Sequence, residues 1–265
     1  RQIVLIGGCN PRGVVYGAHA FFDLLRRDGS RVVFPVVSVK DWPSILWRGR
    51  PHSRLRQHLE PGVMDAYAWA RLNFIDVRDA PGKEYAPMGT PPGSALDTAT
   101  IKQVVEEAHR RGIFVYGTVS CSVPAKSQHA VLATFRQLIE LGVDGLWMSF
   151  DDRGQGEDPC GLAAKIVNLG KEHGMGGWQI AITPPSGSYQ RIDTEFNRRV
   201  AQVPGMAEAR WFFTRVPCPA DARAAVAIGL KRKPSWWHNW PRTRGGFTHE
   251  GYGGWSLRAD GKPAY

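Results

Sequence analysis

No apolar run in this chain approaches the roughly 20 residues needed to cross a bilayer, although 43% of its 265 residues are hydrophobic. The sequence therefore offers no membrane span. The N-terminus also lacks the succession of charged, apolar and small residues that makes a secretory signal. The chain opens on Arg1 rather than Met and reads as a mature or trimmed piece, so the missing signal does not fix a compartment. Cys9, Cys121, Cys160 and Cys218 stand far apart, with no Cys-x-x-Cys and no His at ligand spacing. Separate thiols fit this better than a zinc site, and a disulfide stays open. The segment Gly7-Gly8-Cys9-Asn10-Pro11-Arg12-Gly13 has neither Gly-x-Gly-x-x-Gly spacing nor a Lys-Ser/Thr ending, which argues against a phosphate loop. Interleaved aromatic and basic residues are missing too, so the net charge of +10 is no signature of a single-strand nucleic-acid binder. Apart from Arg48-Arg50-Arg54-Arg56 and Lys231-Arg232-Lys233 the basic residues are scattered, and they would steer polyanions in general. The expectation is a soluble protein without a nucleic-acid partner or membrane span, secreted or periplasmic rather than cytoplasmic.

What is present is a periodic α/β pattern. A chain of this length buries either one barrel-sized core or a small domain plus a larger one. Residues 2–8 read as a strand ending in glycines. Val14, Val15, Ala18, Phe21, Phe22 and Leu25 have helical spacing between Arg12 and Arg27, with Asp28-Gly29 as the stop. Arg31 to Val39 is a second β-rich run. From Trp47 onward, strand candidates at 45–49, 73–78, 113–120, 144–151, 178–184, 209–216 and 234–240 alternate with helical stretches. Ile101, Val104, Val105 and Ala108 line a helix capped by Asp97 or Thr98 and ended by Gly112. Val131, Phe135, Leu138 and Ile139 do so before Gly142, and Leu162, Ile166 and Leu169 before Gly170. Seven such repeats predict an α/β fold of the (β/α)8 TIM-barrel type rather than a doubly wound sheet. The barrel is incomplete or irregularly closed, since Gly245 to Tyr265 holds no clear eighth strand or closing helix.

The fourth of these strands carries the chemistry. Asp144-Gly145-Leu146-Trp147-Met148-Ser149-Phe150-Asp151-Asp152 is an apolar run that ends in two adjacent carboxylates before Arg153-Gly154-Gln155-Gly156. Neighbouring side chains on a regular strand face opposite ways, so both acids reach one pocket only where the strand frays into that glycine loop. Two carboxylates so close do not both ionise freely, and raising one pKa makes a general acid near neutral pH. A solvated Asp pair opening a loop is the plainer alternative. A divalent-cation site of Asp151, Asp152, Glu157 and Asp158 is another.

The chain resembles glycoside hydrolase family 84, the β-N-acetylglucosaminidases that include O-GlcNAcases and hyaluronidase-like enzymes. Arg12-Gly13-Val14-Val15-Tyr16-Gly17 followed by Phe21-Phe22-Asp23-Leu24-Leu25 is similar to the helix of the small α/β domain preceding that family's barrel. Val39-Lys40-Asp41-Trp42-Pro43 and Trp47-Arg48-Gly49 resemble its entry into the first barrel strand. Three strand ends carry the likeness further: Ser149-Phe150-Asp151-Asp152, Trp211-Phe212-Phe213-Thr214, and Pro234-Ser235-Trp236-Trp237-His238-Asn239-Trp240-Pro241. The resemblance implies a partial small α/β domain over 1–44 and a catalytic barrel over 45–265. It implies retaining, substrate-assisted cleavage without a cofactor or metal, acting on a glycan that bears a 2-acetamido sugar. Asp151 would then orient the acetamido group and Asp152 would be the general acid and base. Asn239 would bind the acetamido group, and Tyr189, Trp236, Trp237 and Trp240 would wall the sugar pocket. Where the family holds its sugar with a Gly-Phe-Tyr-Gly loop and a Lys, this chain has Arg50-Pro51-His52-Ser53-Arg54 and Met88, and Arg242-Thr243-Arg244 replaces the family's hydroxyl-binding acid. Arg50, His52, Arg54, Arg242 and Arg244 would put positive charge around the pocket mouth, which suits an acidic sugar. A catalytically weak glycan-binding relative is the alternative reading.

Overall fold

The structure, a computed structural model, describes residues 3–41, 46–50, 54–80, 89–151, 153–214 and 219–236. Asn10 starts the first helix, α1 (Pro11–Leu24), by accepting a hydrogen bond from the Gly13 N–H at 2.9 Å, with Pro11 in the first turn. The helix ends at Leu25, whose N–H donates to Phe22 O. Asp28-Gly29 therefore does not stop it. Those residues instead turn the antiparallel hairpin of β1 (Arg26–Asp28) and β2 (Arg31–Val33), with Gly29 at φ +60°. Residues 3–8 form no strand, and of the run from Arg31 to Val39 only Arg31–Val33 is one. An apolar run becomes a strand only where a neighbour completes its backbone hydrogen bonds, and none does so here among the described residues. This N-terminal layer touches the barrel through Arg71 and Asp23 at 2.8 Å and through the His19 and Trp69 rings at 5.2 Å.

The barrel elements follow in strict alternation: β3 (Gly49–Arg50), α2 (Val63–Trp69), β4 (Phe74–Val77), α3 (Thr98–Arg110), β5 (Phe114–Ser120), α4 (Gln128–Glu140), β6 (Gly145–Ser149), α5 (Pro159–Glu172), β7 (Ile180–Thr183), α6 (Glu195–Ala201), β8 (Arg210–Phe213), α7 (Pro219–Ala227) and β9 (Ser235–Trp236). The seven strands from β3 to β9 lie side by side in chain order, every pair parallel. Helix signals act as the sequence requires. The Asp97 side chain accepts from Thr100 N at 3.2 Å, α3 buries Ile101, Val104, Val105 and Ala108, and Gly112 leaves it at φ +67°. Gly142 does the same for α4 at φ +89°. Gly170 does not end α5: the helix runs on to Glu172, and Gly174 takes the left-handed conformation. Gly170 has another reason to lack a side chain, because a Cβ there would lie 2.8 Å from Ile180 Cδ1 on β7.

Alternate strand residues sort into two cores. Ile75, Val115, Leu146, Met148, Ile182, Trp211 and Phe213 pack outward on the helices. Phe74, Phe114, Tyr116, Trp147, Ala181 and Phe212 point inward with Trp47. In a flat sheet β3 and β8 would stand about 24 Å apart at ~4.8 Å per strand. Yet the Arg210 guanidinium of β8 lies 4.0 Å from the ring centre of Trp47, just before β3, and Phe212 lies 5.8 Å from Phe74 of β4. The sheet is curled into a half-barrel with an aromatic interior, an incomplete TIM-like fold.

Candidate active site at the strand ends

The site grows out of β6. Asp144 anchors its start, accepting from Val115 N at 2.7 Å and meeting His109 Nε2 at 2.8 Å. Gly145 follows because a Cβ would sit 2.4 Å from Gln179 O and 2.6 Å from the Tyr116 ring. Leu146 and Met148 then face the helices, while Trp147 faces the interior. Ser149 shares the face of Trp147, and Asp151 follows at the turn beyond the strand, only 5% exposed. Ladder bonds carry the sheet up to this point, with Cys121 N donating to Ser149 O at 2.8 Å and Phe150 N to Thr183 O at 3.0 Å. Beyond it the loop is tied down by Arg153 N to Phe150 O at 3.2 Å and Ser122 Oγ to Gly154 O at 2.5 Å. Gly156, at φ +70°, passes close to the Val123 backbone.

Beside β6 the interior is polar. Asp76 and Arg78 of the β4 region are wholly buried, and Arg78 Nε donates to Asp76 Oδ2. Thr118 Oγ1 donates to the same oxygen at 2.8 Å, and the Arg78 guanidinium lies 5.6 Å from the Trp147 ring centre. Sequence reasoning missed this pair. Its signal was Asp-x-Arg within a strand candidate, the spacing that puts two side chains on one face. Behind the strand, buried His58 meets the Asp76 carbonyl oxygen at 3.2 Å, and loss of solvent pushes its pKa down to about 4. Asp79, next along, caps the approach to α3 by accepting from Asp97 N, and burial raises its pKa.

Of the residues singled out in the sequence, Asp151 and Tyr189 stand beyond the C-terminal ends of β6 and β7. Tyr189 is half-buried, and its carbonyl accepts from Thr214 N at 2.9 Å, which ties its loop to the end of β8. Arg50 pairs in register with Ile75 and holds its guanidinium 5.8 Å from the Tyr67 ring centre, on the helix side rather than at a pocket mouth. Trp236 pairs with Phe213 and packs against it at 5.5 Å in the helix-facing core, 1% exposed, so its ring is no pocket wall here. Both strands are two residues long, too short for alternation alone to reveal which residue faces inward. Asp152, His52, Trp237, Asn239, Trp240, Arg242 and Arg244 lie outside the described residues. Glu157 and Asp158 have local work: Glu157 Oε2 accepts from Ala125 N at 2.8 Å, and Asp158 caps α5 by accepting from Gly161 N at 2.9 Å. Among the described residues no group of three or more His, Cys, Asp or Glu could hold a metal ion. Two surface clefts, of about 160 Å³ beside His58 and Arg111 and about 290 Å³ beside Lys171 and Glu208, lie away from Asp151.

A parallel half-barrel with a buried acid just beyond the C-terminal end of a central strand has the TIM-like α/β architecture, in which active sites sit at that end. No family model matches the chain, and no curated protein does. Solved structures do match. CpGH84B superposes with a TM-score of 0.67 at 16% identity over 88% of this chain and 45% of that one, and CpGH84D with 0.64 at 15% over 88% and 42%. A mutant of the O-GlcNAc hydrolase of Thermobaculum terrenum gives 0.57 at 15% over 77% and 49%. The chain thus shares the fold of these structures and spans less than half the length of each.

Proposed function

We propose that the chain is a glycoside hydrolase that cleaves β-linked 2-acetamido sugars of the N-acetylglucosamine type with retention, the substrate's own acetamido oxygen attacking the anomeric carbon. The observation that carries the reading is the burial of Asp151 just beyond the C-terminal end of the fourth barrel strand. In this reading Asp151 accepts the acetamido N–H and stays charged beside the developing cation. Asp152 protonates the leaving oxygen and later takes a proton from water. Adjacent acids favour such a split, since two neighbouring carboxylates do not both ionise freely. Asn239 is assigned to the acetamido group, Tyr189, Trp237 and Trp240 to the pocket walls, and His52, Arg242 and Arg244 to charge at its mouth. Arg50 and Trp236 leave the assignment because their side chains lie on the helix side. The small domain over 1–44 and the barrel over 45–265 belong to the same reading, as does a glycan or glycoconjugate partner.

Hydrolysis of an aryl N-acetyl-β-glucosaminide tests it. Asp152→Asn is expected to lower kcat by about 100- to 10,000-fold, the usual range for a general acid and base. Equal inertness of wild type and variant on a broad panel of aryl glycosides overturns the enzyme reading, and glycan binding without turnover would then mark a binding protein.

A further inference from the structure

Ser149 is 1% exposed, and its Oγ is buried without a hydrogen-bond partner. Buried hydroxyls are nearly always satisfied, and one left alone forfeits the hydration it had in the unfolded chain. The position is structured. Strand register sets Ser149 level with Ser120 on β5 and Thr183 on β7, both buried, so three hydroxyl residues cross the sheet in one row. Trp147 Nε1 donates to Thr183 Oγ1 at 2.9 Å, which fixes the indole below the row and leaves the Thr183 O–H available to donate. Asp151 follows two residues further on, buried at the turn that ends the strand. The row carries no charge of its own, and on the interior of β4 Arg78 donates to Asp76 through Nε while its guanidinium lies 5.6 Å from the Trp147 ring centre.

We propose that Ser149 is a substrate-binding residue that exchanges a hydrogen bond with one ring hydroxyl of the sugar, in the hydroxyl row that precedes Asp151. A hydroxyl both donates and accepts, as a sugar hydroxyl does. The inference rests on the glycosidase reading of this site and adds a residue that recognises a ring hydroxyl.

Calorimetric titration of wild type and Ser149→Ala with free N-acetylglucosamine and its monodeoxy analogues decides the matter. Wild type should bind the parent sugar roughly tenfold more tightly than one of the deoxy analogues, the size of a lost hydrogen bond to a buried group. Ser149→Ala should bind both alike, because the protein and ligand hydroxyls form one coupled pair. Its melting temperature should be no lower than that of wild type, since the hydroxyl it removes is unpartnered in the free protein. Discrimination kept in Ser149→Ala, or a melting temperature several degrees lower, overturns this inference and leaves the proposed activity standing. Failure of both proteins to bind any of these sugars removes the N-acetylglucosamine reading, and this inference with it.

Discussion

His58 shows how one side chain ties stability to pH. Its ring is wholly buried, edge-on to Tyr67 at 5.9 Å, with Nε2 at the Asp76 carbonyl. Loss of solvent lowers its pKa from 6.5 to about 4; the Asp76 charge opposes that shift and the Arg50 charge adds to it. The folded protein therefore binds this proton less readily than the unfolded chain. The contribution is fully present above pH 6.5 and is lost as the pH falls through about 4, costing about 3 kcal/mol at ~1.4 kcal/mol per unit. Asp79 works the other way, because its raised pKa makes the fold hold a proton more readily. Urea titrations at several pH values, on wild type and His58→Gln, isolate the histidine. The variant should lose less stability between neutral and acid pH, and parallel curves for the two proteins would contradict the assignment.

At the scale of elements, each strand or helix was legible where its signals were local. Asp97 announces α3, Gly112 and Gly142 announce the ends of α3 and α4, and the run from Gly145 announces β6 together with the acid at its tip. Signals that depend on a distant partner were not legible. Gly170 has the same composition as a helix end, but its cause is Ile180 on the next strand. The row of Ser120, Ser149 and Thr183 exists only once register is known. Gly145 combines both kinds, marking a strand start while filling a space that Gln179 and Tyr116 leave no wider. Gly145→Ala should destabilise the protein by about 1–3 kcal/mol, the usual cost of overpacking, because neither a carbonyl 2.4 Å away nor a buried ring has room to retreat. Denaturant midpoints measure the effect, and an unchanged midpoint would show that the β6 and β7 layer yields more easily than its packing implies.

At the scale of the molecule, the order of seven parallel strands could be read in advance because each β/α repeat carries its own periodicity and caps. The curl of the sheet could not, since it rests on contacts such as Arg210 over Trp47 between residues 163 positions apart. The N-terminal layer shows the opposite failure, a strong local β pattern of which, among the described residues, only the two-stranded hairpin forms. Leu5 is 91% exposed and Val36 92%, with Ile3 at 75% and Val32 at 68%. Apolar side chains so placed favour association, because each is left in water by its own fold. The 265-residue chain is therefore expected to bind a hydrophobic dye and to grow in apparent mass with concentration in light scattering. The double substitution Leu5→Lys and Val36→Lys should reduce both signals. Thermal unfolding of the barrel should stay within about a degree or two, since exposed substitutions remote from the core usually change stability by less than ~0.5 kcal/mol. A wild-type chain that stays monomeric at high concentration and binds no dye would mean that these side chains are covered in solution.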